Sequence, residues 1–200
     1  MTVNYPKGIK PRSEGKIIKK SPRAKARIEI APGNRGMPFE KAINDTNEFY
    51  KERDLCLITK RPTPINVVKV DYTKGARITQ AFFEKQSTTD YNGVYKGRYI
   101  DFEAKSTLAK ASFPLNNIPP QQIAHLEGVL HHGGIAFFLM QLVAIGETYL
   151  LPAEYVIRFY KEAPRKSIPF ADIKENGRLV KEGIRPRYDY LPLVEELFLK

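Results

Sequence analysis

The chain has 200 residues, 42% of them hydrophobic, and a formal net charge of +11. This is the composition of one ordinary globular domain with enough chain for a substantial core. It excludes a membrane span, because the longest apolar stretch, Ile135 to Ile145, runs eleven residues and contains Gln141. The single cysteine, Cys56, excludes an internal disulfide and a multi-cysteine metal site, and its apolar neighbours assign it to the core. With no apolar leader before a cleavage site, the expectation is a cytoplasmic protein. The charge is uneven: residues 1–36 hold ten Lys and Arg against Glu14 and Glu29, a net of +8. Such asymmetry points to a polyanionic partner, nucleic acid rather than membrane, since the arm has no amphipathic apolar face. Charge alone leaves ribosomal, RNA-binding and DNA-binding readings open.

In chain order, residues 1–36 are rich in Lys, Arg, Pro and Gly and read as a basic, partly disordered N-terminal arm. Arg35, at its end, is a candidate phosphate contact, with a plain surface charge as the alternative. A helix is predicted from Met37 to about Asp54, with Phe39, Ile43, Thr46 and Tyr50 on the buried face. Glu40, in its first turn, is either a dipole-favoured cap or a group reaching a metal pocket. A short strand over Leu55–Thr59 is followed by Arg61-Pro62-Thr63-Pro64, which breaks regular structure. Val67–Tyr72 and Arg77–Phe83 then form a hairpin around Thr73-Lys74-Gly75. Its Lys69, Lys74 and Arg77 suit a charged ribbon entering a groove or junction.

Further on, a helix is predicted from Pro119 or Pro120 to Gly133-Gly134, with Asn117 as a candidate cap. Gln122 lies next to its buried side, facing the sheet edge, as a possible oxygen donor near a cation. His125, His131 and His132 match no metal-ligand spacing and read as solvent-facing or cap residues. Ile135–Val143 suits a strand covered on both faces, with Glu147–Leu151 as its neighbour. A helix near Ala153–Lys161, a polar segment over Asp172–Gly183 and a helix over Leu191–Phe198 complete the chain. A phosphate-binding GxxxxGK[ST] loop is absent, so nucleotide-powered chemistry is unsupported.

The chemistry concentrates between Ser87 and Lys105. Arg98–Lys105 alternates as a half-buried strand, with Ile100, Phe102 and Ala104 on one face and Tyr99, Asp101, Glu103 and Lys105 on the other. A period of two puts the Glu103 carboxylate and the Lys105 ammonium side by side. Glu103 can then hold a divalent cation while Lys105 stands beside the attacked phosphate. Asp90, from the preceding turn, supplies the second hard oxygen that Mg2+ prefers. This is equipment for hydrolysing a phosphodiester.

Three stretches carry a resemblance: Gly33-Asn34-Arg35-Gly36-Met37-Pro38-Phe39-Glu40, the segment from Lys85 to Lys105, and Phe113-Pro114-Leu115 followed by Gln121-Gln122-Ile123-Ala124-His125-Leu126. Together they resemble the Holliday-junction resolvases of the RecU type, over nearly the whole chain. The resemblance implies a restriction-endonuclease-like α/β fold of the PD-(D/E)xK group: a mixed β-sheet flanked by helices, a nuclease domain over 37–200, and a protruding hairpin stalk at about 61–84. It implies metal-associated Thr88, Asp90, Glu103 and Gln122, with Asp90, Glu103 and Lys105 catalytic. It also implies Mg2+, with Mn2+ as a substitute, and a homodimer that nicks four-way and other branched DNA in pairs. The strand-exchange recombinase RecA would be a further partner. Threonine precedes Asp90 where the group's motif has proline, as the family's own pattern has it. A non-catalytic architectural or recombinase-regulating DNA-binding protein, a restriction-type duplex endonuclease and an RNA-binding ribosomal accessory are the rival readings.

Overall fold

Helix α1, Met37–Glu52, forms where apolar side chains recur at helical spacing. Phe39, Ile43, Thr46, Asn47 and Tyr50 are its buried face. It stops two residues before the predicted Asp54, which takes a left-handed φ of 55°. These elements belong to a computed structural model that describes residues 37–83 and 88–200; the expectations for the basic arm, including Arg35, lie outside the described residues.

Six strands make the central mixed sheet. They are β1 (Leu57–Lys60), β4 (Tyr91–Tyr95), β5 (Arg98–Thr107), β7 (Ile135–Leu142), β8 (Glu147–Pro152) and β10 (Arg178–Leu179), in the order β1-β4-β5-β7-β8-β10. Strands β4 and β5 form a hairpin over Lys96 and Gly97, both with positive φ, as a two-residue primed turn requires. Gly93 lets β1 close on β4, because a Cβ there would stand 2.0 Å from the Leu57 carbonyl oxygen. Strand β5 pairs in parallel with β7 and the two are joined through helix α2, Pro120–His131. The other sheet pairings are antiparallel.

Two cores cover the sheet. On one side α1 and α5 (Leu191–Phe198) pack over Ile100, Phe102, Phe137 and Leu139. On the other, α2, α3 (Ala153–Glu162) and α4 (Phe170–Asn176) pack over Ala136, Phe138 and Met140. Strand β7 feeds alternate residues to both, which explains its unbroken apolar run. Short pairs complete the layers: β6 (Ser112–Pro114) with β9 (Ser167–Pro169), and β11 (Lys181–Glu182) with β12 (Tyr188–Asp189). The mixed sheet flanked by helices is the α/β arrangement expected. No helix of the described residues is long and apolar enough to cross a membrane.

The predicted hairpin is present as β2 (Ile65–Asp71) and β3 (Arg77–Phe83), which among the described residues pair only with each other. Nearly every residue is exposed, Phe82 and Phe83 included. Three local expectations need correction. Asn117 does not cap α2: it ends a 3-10 turn, Leu115–Asn117, and Pro119 occupies the cap position without a side-chain bond. Pro120, at the first turn, has no N–H to satisfy, so less capping is needed. Helix α4 replaces part of the expected polar segment; its signal was weak because only Phe170 and Ile173 face the core. Cys56 is half-buried rather than central.

Phe102 is the centre of the first core, stacked on Tyr91 at 4.8 Å and on Phe137 at 4.7 Å. Phe102→Ala is expected to destabilise the protein by about 3–5 kcal/mol, read from urea unfolding.

Candidate active site

The polar face of β5 is not the half-open surface that alternation predicted. Asp101 and Glu103 are both 0% exposed. The reason is position: β5 lies inside the sheet between β4 and β7, and α2 lies across its polar side, bonding both carboxylates.

Glu103 is the point on which the predicted residues converge. Its Oε1 accepts from Lys105 Nζ at 2.5 Å and from Gln122 Nε2 at 2.8 Å. Its Oε2 accepts the Asp90 backbone N–H at 3.0 Å. Burial, and next the charge of Asp90, push the Glu103 carboxyl up to about 8, against the opposing pull of Lys105. Gln122, 3% exposed, keeps Oε1 buried and, among the described residues, without a hydrogen-bond partner. Thr88 and Asp90 are half-buried in the short segment that leads into β4. Four predicted residues, Asp90, Glu103, Lys105 and Gln122, are thereby in direct contact around one carboxylate, and Thr88 is two residues away in sequence.

The others are placed elsewhere. Glu40 pairs with Lys60 rather than with the cluster. It still lies near: Glu40, Asp90 and Glu103 all act on Tyr91, whose phenol is raised first by burial and then by these three carboxylates. Lys69, Lys74 and Arg77 are exposed on the β2–β3 hairpin, where Arg77 meets Asp71 at 3.5 Å.

Asp101 organises a second cluster that the sequence did not announce. Its Oδ1 accepts from the Thr89 hydroxyl. Its Oδ2 accepts from Arg61 Nη2 at 2.6 Å, from the Tyr99 hydroxyl at 2.8 Å and from His125 Nε2 at 2.9 Å. His125 is therefore a site-wall residue, correcting its reading as solvent-facing. The usable signal was a coincidence of periods. Asp101 and Glu103 are i, i+2 on a strand, while His125 and Gln122 are i, i+3 on the facing helix, so two carboxylates meet two donors.

Among the described residues, no group of three or more His, Cys, Asp or Glu is placed to hold a metal. The available donors are instead two carboxylates, an unpaired amide oxygen and a threonine hydroxyl. All are hard oxygens, and one or two carboxylates completed by substrate phosphates is how Mg2+ is commonly bound.

Fold and site define an α/β protein with a mixed sheet between helices and a carboxylate and a lysine two residues apart on a central strand. The family model of RecU, recombination protein U, matches residues 34–196. The chain belongs to this family. It is 50% identical over 209 residues to the Holliday junction resolvase RecU of Lactococcus lactis subsp. lactis (strain IL1403), covering 98% of both chains. It is 46% identical over 200 residues to that of Streptococcus gordonii, covering 98% of this chain and 96% of the relative. For that of Geobacillus kaustophilus the identity is 43% over 203 residues, covering 99% and 98%. The solved Holliday junction resolvase Hjc of Archaeoglobus fulgidus aligns with 72% of this chain and 95% of its own at 12% identity. Its TM-score of 0.40 carries no argument.

The raised Glu103 carboxyl has a measurable sign. Its folded-state value lies above the ordinary 4.5, so the fold favours the protonated form. That contribution is complete below about pH 4.5 and is lost as pH rises towards about 8. In chelator, Glu103→Gln, a neutral isostere, is expected to gain stability relative to the parent across this window. The gain is at most about 1.4 kcal/mol per pH unit, read from urea midpoints. A difference independent of pH would mean that Glu103 is not desolvated.

Proposed function

We propose that the protein is a divalent-metal-dependent, structure-selective endodeoxyribonuclease that resolves Holliday junctions by paired symmetric nicks during recombination and repair. The observation that carries this reading is the convergence of Asp90, Lys105 and Gln122 on buried Glu103, in a chain whose relatives are named Holliday junction resolvases. On this reading Mg2+ is the working ion and Mn2+ a substitute, and the protein acts in the cytoplasm.

The residues fit such an ion. The carboxylates of Asp90 and Glu103 are close enough for one to oppose ionisation of the other, and Gln122 Oε1 is buried beside them without a partner among the described residues. A hard divalent cation held by Asp90 and Glu103, with Thr88 and Gln122, would supply Lewis acidity at the phosphate oxygens and acidify the attacking water. The chain itself does the rest. The Asp90 N–H and the Gln122 amide fix the two oxygens of Glu103. Lys105, 2.5 Å from that carboxylate, brings a positive charge to the phosphate as its oxygens gain negative charge. Water attacks in line, and the bond to the leaving oxygen breaks to give a 5′-phosphate and a 3′-hydroxyl. Two cuts related by near twofold symmetry call for two sites, hence a homodimer on the junction. Exposed Lys69, Lys74 and Arg77 on the hairpin, with Arg35 and the basic arm, would supply phosphate contacts that read branch shape. An interaction with the recombinase RecA would couple resolution to strand exchange.

The test is strand-resolved cleavage of a mobile synthetic four-way junction beside its duplex arm, with Mg2+ or EDTA. Paired nicks in opposing strands are expected only with metal, and Asp90→Asn should lower their rate by at least about 100-fold while junction binding persists. Tight binding without cleavage under any metal would leave an architectural or recombinase-regulating role. Removing residues 1–30 is expected to weaken binding more at low than at high salt, because that contribution is electrostatic.

A further inference from the structure

Arg61 follows β1 directly and is fastened to the site twice. Its backbone N–H donates to the Asp90 carbonyl at 2.8 Å. Its Nη2 donates to Asp101 Oδ2 at 2.6 Å and to the Tyr99 hydroxyl at 2.7 Å. Asp101 is wholly buried, whereas the Arg61 side chain keeps 19% of its surface in solvent. All the hydrogen bonds its side chain makes with the described residues run through Nη2. A guanidinium carries five N–H donors in a rigid planar fork, so Nε and Nη1 stay available to an outside acceptor.

We infer that Arg61, braced by Asp101, binds a DNA backbone phosphate neighbouring the scissile one. This rests on the nuclease reading of Asp90 and Glu103. Three features favour it. The anchor is two residues from Glu103 on the same face of β5, about 6.6 Å by strand rise, which matches one step along a nucleic-acid backbone. The brace limits the rotation of a long side chain, so less freedom is lost when a phosphate engages the remaining edge. Further, a DNA strand entering here passes beside the acidic cluster of Asp90, Asp101 and Glu103, and Arg61 offsets the charge of Asp101 while offering a partner of opposite charge. Asp101 is then a positioning residue, and Thr89, Tyr99 and His125 fix its own orientation.

The competing explanation is a purely structural knot joining the end of β1, the Thr89 segment, β5 and α2. Phosphate contact has two signatures that such a knot lacks: a change in salt dependence and coupling to one particular phosphate. Full-length wild type, Arg61→Gln and Arg61→Lys are therefore titrated with a four-way junction in EDTA over a range of salt. The titrations are repeated with junctions carrying one neutral methylphosphonate at successive positions near the branch. Arg61→Gln is expected to weaken binding about tenfold and to lower the slope of log affinity against log salt by about one for each chain bound. At one position the methylphosphonate should cost wild type about as much and cost Arg61→Gln nothing further. An unchanged slope with additive losses at every position, or unaltered binding, would overturn the inference. Arg61→Lys keeps the charge and serves if Arg61→Gln does not fold. It should retain the slope with several-fold lower affinity and reduced coupling, and full wild-type affinity and coupling would count against the guanidinium fork. Wild-type cleavage of the unmodified junction with Mg2+ judges the nuclease reading separately, since the binding arms need no cleavage.

Discussion

The site depends on keeping the carboxylate of Glu103 out of water. Burying an ionised carboxylate without compensation is prohibitive, and breaking a buried ion pair typically costs about 3–5 kcal/mol. Lys105, Gln122 and the Asp90 N–H provide the compensation, one from the same strand, one from a helix and one from a loop. It is incomplete, and the raised Glu103 carboxyl is the measure of what remains. On the proposed function that shortfall has a use. A pair of acids that resist joint ionisation is a pair that gains from a cation, so the tension between Asp90 and Glu103 prepares the place where one is needed.

The same requirement sets how sheet and helix fit together. Side chains on one face of β5 recur every second residue, and those on one side of α2 every third or fourth. Asp101 with His125, and Glu103 with Gln122, are two consecutive rungs where the periods coincide. A register slip by one residue would turn both carboxylates into the aromatic core around Phe102 and push Phe102 towards α2. The stacked rings of Tyr91, Phe102 and Phe137 therefore hold the register on which the polar face relies.

Much of this was legible before any coordinates. Alternation from Arg98 to Lys105 placed Glu103 and Lys105 on one face, and the apolar run from Ile135 predicted a strand covered on both sides. Helical spacing found the buried face of α1 through Phe39, Ile43, Thr46 and Tyr50. What was not legible depended on partners distant in sequence. Asp101 looked like one more polar residue on a solvated face until α2 covered it. Arg61 read as a chain breaker because its prolines dominate the local signal, and its meaning lies in residues 29 to 40 positions later. His125 lacked metal-ligand spacing and so seemed idle, although its partner is a carboxylate. Helix α4 was hidden because about two turns with only two buried residues have almost no periodicity.

The parallel pairing of β5 with β7 carries a consequence for the order of events on the ribosome. A hairpin such as β4–β5 can close as soon as it emerges, but a parallel partner must wait for the whole crossover to be made. Until Ile135–Leu142 is synthesised, α2 lacks one of the two strands it packs against, and Gln122 and His125 have only β5 to hold them in place. A nascent chain thus holds Asp101 and Glu103 before it holds their helical partners. The chemistry of this protein is assembled late, after most of the polypeptide exists, and a prematurely ended chain lacks the crossover that would complete its site.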